Sequence, residues 1–537
     1  MWSGTRILYN RVRSSYWLGM FISRLAWFLG WRGLVLLLMI GLIRAGSNLL
    51  YYDALGPLSS AGADIWFFIG VVKGDYHLFW GDPLQWVLPR LGGLSIPVIF
   101  TSLLVFSSML NGLAVLLLFF LLRDLYGDGR AAFWTALAYG CISSSFLFST
   151  GTFLHQQASL PLMMALVWVA CRFSMHADAN GRGLKLGGMA VLALFGSAIG
   201  PDVWVVILTL AICGVVRQFR GWGTPARRRL VVTAGLVLMA GAVVLLGEPV
   251  RDLVARLAST MRGIDLATQK SLFVGDLMPL NIARWLGNYS FLSYGILALL
   301  IFAAWRDRLL EVTAFVAPFL LATQAVRFFF ITEIGIAVLL GWLFFEAGRH
   351  RAGVANFLGV VVVIAFIWLE GARGATCLCP STLISSLSRI RDDPTPKKLV
   401  VCNPSYGFVV RAWANAAPTA DMQHLDSNTE WMRLLTLPSE KAVAELKKGG
   451  VTHLLLTTHD FKQAVERTPE GGLVSGTYAS GGLERFLPKL SDEELKRSLL
   501  YEAFTELFRA FPVSGISLVV TARDPKTGLG ILLYRIE

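Results

Sequence analysis

The stretch GVANFLGVVVVIAFIWLEGARGATCLCP, residues 353–380, decides how this chain is read. From 353 to 369 it holds no charged side chain, and about 20 mainly apolar residues suffice for a helix to cross a bilayer. At Gly371 that character ends, and residues 371–537 read as one ordinary soluble domain. Upstream the same apolar signature recurs at 33–50, 98–122, 131–149, 157–173, 186–200, 202–216, 230–247, 290–305, 309–323 and 328–346, so that about eleven stretches precede the junction. A large globular tail after such a body needs a reason to be held at a bilayer. Chemistry at a membrane face supplies one that passage through the membrane does not.

Composition agrees with this division. Over 537 residues, 55% are hydrophobic and 15% charged, with a mean hydropathy of +0.60, as in integral membrane proteins. The formal net charge of +13 could suggest nucleic acid, but its distribution excludes that partner. Basic residues crowd alternate short loops: Arg6 to Arg32, Arg123 and Arg130, Arg172 to Lys185, Arg217 to Arg229, Arg306 and Arg308, and Arg349 and Arg351. That is the pattern of cytoplasmic loops. The N-terminus is basic, without a small-residue cleavage site, and is expected to stay on the cytoplasmic side. Alternation then places 51–95, 150–156, 248–289 and the whole tail outside. The expected organisation is a cytoplasmic segment 1–32, a transmembrane body 33–370 and an extracytoplasmic α/β domain 371–537. Cys141, Cys171 and Cys213 fall in or beside spans. Cys377 and Cys379 are too close to bridge each other, and either has a candidate partner in Cys402.

Within the tail, LVVCN (399–403), THLLLTT (452–458), SLVVTA (517–522) and GILLYRI (530–536) read as strands. SEKAVAELKKG and SDEELKRSLLYEAFTELFRAF read as amphipathic helices, each opening at a serine with acidic residues in the first turn. Their alternation predicts a small layered sheet.

Polar groups stand out at the outer ends of the spans. In GADIWFFIGVVKGDYHLFWGDP (62–83), Asp64 precedes an amphipathic run. It reads either as a helix N-cap before an interfacial aromatic belt, or as a carboxylate placed to bind a divalent metal or act as a base. Asp75, His77 and Asp82 read as solvated loop residues. His155, Gln156 and Gln157 in STGTFLHQQASL lie beside the hydrocarbon boundary, where polar side chains face a protein interior or reach the interface, and Asp202 is similarly placed. Asp276 sits in the apolar loop FVGDLMPLN. Arg327 in TQAVRFFF lies at the outer end of a span, where it either snorkels or contacts a phosphate. No Walker loop, dinucleotide fingerprint, nucleophile elbow or zinc motif occurs.

The order of these pieces resembles the catalytic subunit of oligosaccharyltransferases, membrane glycosyltransferases of the GT-C type. The series is an acid in the first external loop, a polar second loop, a long later loop, an arginine in a late span and an external α/β tail. LVVCNPSYGFVVRAWANAAPTAD (399–421) looks like that family's strand, WWDYG motif and following helix: Tyr406 and Gly407 keep its last two positions, and Ala414, Asn415 and Asp421 fit downstream. The resemblance implies a GT-C-like polytopic α-helical membrane protein with a C-terminal extracytoplasmic α/β domain. It also implies transfer of a sugar or glycan from a polyprenyl-phosphate-linked donor to a protein or glycan acceptor at the outer face.

In that reading Asp64 matches the first-loop acid, which binds metal and contacts the acceptor, and Asp276 stands in for the acid of the long loop. Arg327 matches the phosphate-binding arginine, while Ser405, Tyr406 and Gly407 mark the acceptor site. A Mg²⁺ or Mn²⁺ ion would rest on Asp64, His155 and Gln156. The chain departs from the family at two places. LHQQ stands where an acidic pair is expected, so the metal site is weakened or the chemistry is metal-independent. Asn403, Pro404 and Ser405 replace the Trp-Trp-Asp that reads the sequon hydroxyl. A non-catalytic homologue that binds lipid-linked glycan or scaffolds a complex, a membrane partner subunit supplying missing acids, and a transporter or flippase are the competing expectations.

Overall fold

A computed structural model describes residues 30–53, 55–60, 64–78, 83–141, 155–175, 188–193, 202–219, 291–322, 329–373, 377–419, 433–458, 460, 465–467, 473–475, 491–505 and 515–537. Its first part is helical: α1 (Gly30–Asp53), α2 (Asp64–Lys73), α3 (Ile96–Tyr126), α4 (Gly129–Gly140), α5 (His155–Met175), α6 (Asp202–Phe219), α7 (Phe291–Trp305), α8 (Leu309–Ala322), α9 (Phe329–His350) and α10 (Ala352–Arg373). Among the described residues three helices are long and apolar enough to cross a bilayer, namely α1, α3 and α9 over Phe330–His350. Shorter apolar helices run over Ala158–Arg172, Leu292–Trp305, Leu309–Leu320 and Ala352–Trp368. The expected span 230–247 lies outside the described residues, and of 186–200 only 188–193 is described.

Local chemistry sets the helix ends. Pro97 starts α3, and Gly127 ends it at φ 70° with its N–H donated to the Arg123 carbonyl at 2.8 Å. Asp128 then caps α4, its Oδ1 accepting from the Arg130 N–H at 2.7 Å. The core of the bundle gathers Leu36, Ile40, Leu118, Leu137, Trp342 and Phe344. Helices α8 and α9 approach backbone to backbone, because a Cβ on Gly335 would lie 2.4 Å from the Ala314 carbonyl oxygen. Two sets of basic residues from separate loops share one end of the bundle. Arg172 meets Asp124 at 2.7 Å, while Arg306, Arg308 and Arg349 surround Glu346 at 3.4, 3.8 and 3.7 Å. Tyr126 at the end of α3 stacks on Phe345 of α9, joining the two groups.

After α10 come α11 (Ser381–Asp392), β1 (Leu399–Val401), α12 (Pro404–Ala414), β2 (Ala417–Pro418), α13 (Ser439–Lys448), β3 (His453–Thr457), β4 (Val465–Arg467), β5 (Leu473–Ser475), α14 (Asp492–Lys496), α15 (Leu499–Thr505), β6 (Ile516–Arg523) and β7 (Gly530–Ile536). Five strands form one sheet in the order β2-β1-β3-β7-β6. Strands β1, β2 and β3 run parallel, while β7 is antiparallel to both β3 and β6. Strand β3 is buried on both faces. Leu455, Ile531 and Leu533 face α11 and α12, whereas Leu454, Leu456, Leu532 and Tyr534 face α13, α14 and α15. This explains why Leu454, Leu455 and Leu456 follow one another without polar alternation. The helix expected over 491–511 begins at a capping box of Ser491 and Glu494, then breaks at Arg497 into α14 and α15.

His453 enters β3 nearly fully buried, with Asp393 3.6 Å from its Nε2. Burial holds its imidazole below the usual range, opposed by Asp393 and reinforced by Arg535 and Lys398. The unfolded chain therefore protonates first. The stability from neutral His453 is present above about pH 6.5 and is lost as pH falls below it. Melting temperatures of wild type and His453→Gln are expected to converge towards pH 5, and equal spacing at all pH values would refute this.

Candidate functional site

Helix α2 carries the sequence DIWFFIGVVK, and every residue from Ile65 to Val72 is buried. An interfacial aromatic belt would face lipid on one side. Here both sides are covered by protein. Towards the bundle, Trp66 meets Phe100 of α3 at 5.5 Å. Towards the tail, Phe67 meets Phe408 at 5.2 Å and Trp66 meets Trp413 at 6.3 Å, both from α12. Tyr76 folds back on α2, and a Cβ on Gly70 would lie 2.4 Å from its ring, so only glycine fits there.

Polar bonds fasten the same joint. Trp66 Nε1 donates to Ser60 Oγ at 3.1 Å, and Ser60 pairs through its backbone with Cys379. Lys73 Nζ donates to the Ala412 carbonyl at 3.0 Å, Ser381 Oγ to Leu55 at 3.2 Å, and Lys526 Nζ to Asp53 at 3.2 Å.

Around this joint lie several of the residues singled out in the sequence. Asp64 is the first residue of α2 and is half-buried, where the helix dipole favours a carboxylate. His155 and Gln156 open α5, and their side chains are outside the described set. Ala158, just beyond them, packs into the same apolar cluster as Trp66, Phe100 and Phe408. The motif NPSYG forms the first turn of α12: Asn403 Oδ1 accepts from the Ser405 N–H at 3.0 Å, and Pro404 takes the next position. Ser405 is half-buried, whereas Tyr406 and Gly407 are buried. Asp276, Arg327 and Asp421 lie outside the described residues. The starts of α2, α5 and α12 thus converge on one cluster, although they are distant in sequence.

Sequence reading missed the residue that holds the motif in place. Asp460, fully buried, accepts from Asn403 Nδ2 at 2.7 Å, from the Thr457 N–H at 2.7 Å and from Thr457 Oγ1 at 2.9 Å. It ties the end of β3 to the end of β1, where the two parallel strands deliver their following segments. The Tyr406 phenol faces Thr457 and Asp460, and burial pushes it up. Nothing in the sequence pairs Asn403 with an acid 57 positions away.

Burial pushes the Asp460 carboxyl up to about 6, against the pull of its three donors. The fold therefore favours the neutral acid. Its contribution is full below the unfolded value of 3.8 and is lost as pH rises through about 6, a difference of roughly 3 kcal/mol. Asp460→Asn is expected to remove this dependence, so that the melting-temperature difference from wild type shifts in the variant's favour between pH 5 and pH 7. A constant difference would contradict it.

Among the described residues no group of three or more His, Cys, Asp or Glu is assembled that could hold a metal ion.

The sequence matches no protein-family model and no curated relative. Solved structures do match. The archaeal oligosaccharyltransferase AglB from Archaeoglobus fulgidus, in complex with an inhibitory peptide and a dolichol-phosphate, superposes with a TM-score of 0.57 over 93% of this chain and 80% of its own, at 12% identity. The chain has the fold of an archaeal oligosaccharyltransferase. The Archaeoglobus enzyme tethered to an acceptor peptide containing the NVT sequon gives the same TM-score, coverage and identity, and its complex with Zn and sulfate gives 0.56 over 91% of this chain and 79% of its own. The likeness covers 93% of this chain, and so includes residues of both the helical body and the sheet-bearing tail.

Proposed function

We propose that the protein is a membrane glycosyltransferase that moves a sugar or glycan from a polyprenyl-phosphate-linked donor to a protein or glycan acceptor at the outer face of the bilayer. The observation that carries this reading is the joint, where the first-loop helix beginning at Asp64 packs on the helix beginning at the NPSYG motif. The similar fold of AglB, solved with an inhibitory peptide and a dolichol-phosphate, supports a lipid-linked donor and a peptide-like acceptor.

In the proposed reaction the acceptor's nucleophilic atom bonds to the sugar's anomeric carbon as the bond from that carbon to the donor phosphate breaks. Asp64 orients the acceptor and takes its proton. Arg327 stabilises the charge gathering on the leaving phosphate. Asp276 supports the acceptor from the long loop, and Ser405, Tyr406 and Gly407 shape the place where it docks. With His155 and Gln156 in place of carboxylates, the reaction draws less on a Mg²⁺ or Mn²⁺ ion than an acidic pair would allow. The N-terminus lies in the cytoplasm, and residues 371–537 lie outside.

Purified protein in lipid nanodiscs, supplied with radiolabelled polyprenyl-linked sugars and acceptor extract, is expected to transfer label with little sensitivity to EDTA. Binding of the lipid-linked sugar without transfer would favour the non-catalytic reading, for which the neutral LHQQ stretch is the supporting observation.

A further inference from the structure

Helix α12 carries a cation that the transfer reaction does not use. The Arg411 guanidinium lies over the Tyr76 ring at 5.2 Å, and its Nε is buried with no acceptor among the described residues. No carboxylate among the described residues pairs with Arg411. Arg391 nearby has Asp392 at 3.1 Å while it stacks on Trp413 at 5.1 Å. Lys73 reaches the same turn of α12, anchored at 3.0 Å on the Ala412 carbonyl, the residue after Arg411. Burial lowers the Lys73 amine from its usual range, and Asp75 opposes that.

Lys73 and Arg411 meet α12 at consecutive residues, Lys73 through the Ala412 carbonyl and Arg411 through its own side chain, so one anion at that turn can accept from both. The aromatic face fixes the plane of the guanidinium, and the carbonyl anchor leaves two ammonium protons to donate. A planar fork beside a point charge matches the oxygens of a phosphate group. We propose that Arg411 and Lys73, with Tyr76 supporting the guanidinium, form a phosphate-binding site at the joint between helical body and tail. It rests on the packing of α2 against α12 and stands whether or not the chain transfers sugars. The phosphate comes either from a soluble pyrophosphate or from an anionic lipid headgroup.

The test uses the full chain in maltoside micelles with two probes, inorganic pyrophosphate by calorimetry and retained phosphatidylglycerol by native mass spectrometry. Wild type is expected to bind at least one probe. Arg411→Gln and Lys73→Gln are each expected to weaken it about tenfold or more, as for loss of one charge-assisted hydrogen bond. Tyr76→Phe keeps the ring face and should keep binding. Pyrophosphate binding alone identifies a soluble ligand, and phosphatidylglycerol retention alone identifies a lipid. Failure of wild type to bind either probe, or unchanged binding in both charge variants, overturns the site. Lys73 is exposed, so Lys73→Gln decides the question if Arg411→Gln does not fold.

Discussion

Asp64→Asn is expected to lower sugar transfer by about 100-fold or more while the melting temperature stays close to wild type. The separation follows from where Asp64 sits. It opens α2 and is half-buried, so its structural share includes a charge at a helix N-terminus, about 0.3–1 kcal/mol. The eight buried residues that follow hold the helix without it. A large loss of activity in a folded protein would therefore assign Asp64 to acceptor orientation and proton transfer. Arg327→Ala should reduce transfer by a similar factor, because the leaving phosphate loses its fixed cation. If neither change alters the cell's surface glycans, while deletion of the gene does, the protein acts by binding or scaffolding and the transfer mechanism is wrong.

Trp66→Ala is expected to cost about 3–5 kcal/mol, the range for removing a large buried aromatic. The side chain is fully buried, meets rings from α3 and α12, and donates to Ser60. Truncation opens a cavity between the two halves and leaves the Ser60 loop less firmly tied to Cys379. The change should lower the melting temperature and open the segment between α10 and α11 to protease. Trp86→Ala is the control, since Trp86 is 67% exposed and surface substitutions stay within about 0.5 kcal/mol. Equal stability of the two variants would show that α2 does not hold the joint.

Much of the architecture was readable beforehand, for identifiable reasons. A helix in a bilayer must satisfy its backbone internally and show lipid an apolar surface, so composition alone marks it. The helices α1, α3, α9 and α10 begin and end within a few residues of the apolar stretches at 33–50, 98–122, 328–346 and 353–370. The tail strands were legible because β-branched and leucine-rich runs alternate with turn residues, and β3 and β7 lie inside the expected segments. The helix expected over 491–511 is interrupted in the structure, because its apolar spacing continues through Arg497 and Ser498, where the chain turns. Helix α11 went unread. Its serine-rich sequence STLISSLSRIRD has weak helix propensity and is held by burial of Leu383, Ile384, Leu387 and Ile390.

The site divides in the same way. Asp64, His155, Gln156 and the NPSYG motif stand out in the sequence because each is a local departure from its surroundings: a charge before an apolar run, polar groups at a span end, a strand followed by Asn-Pro. Local contrast carries no information about partners. That α2 is enclosed on both faces, that Phe67 meets Phe408, and that Asp460 holds Asn403 are facts about segments brought together from 57 to more than 300 positions apart.

By itself, then, the sequence marked the apolar helical body, the α/β tail and the change of character between them, since each follows from the hydropathy of contiguous residues. Only the tertiary structure decided what the junction is. The tail does not hang from the last helix of the body but clamps the first-loop helix, because the aromatic rings of α2 have a second apolar face to bury and α12 supplies the surface that buries it.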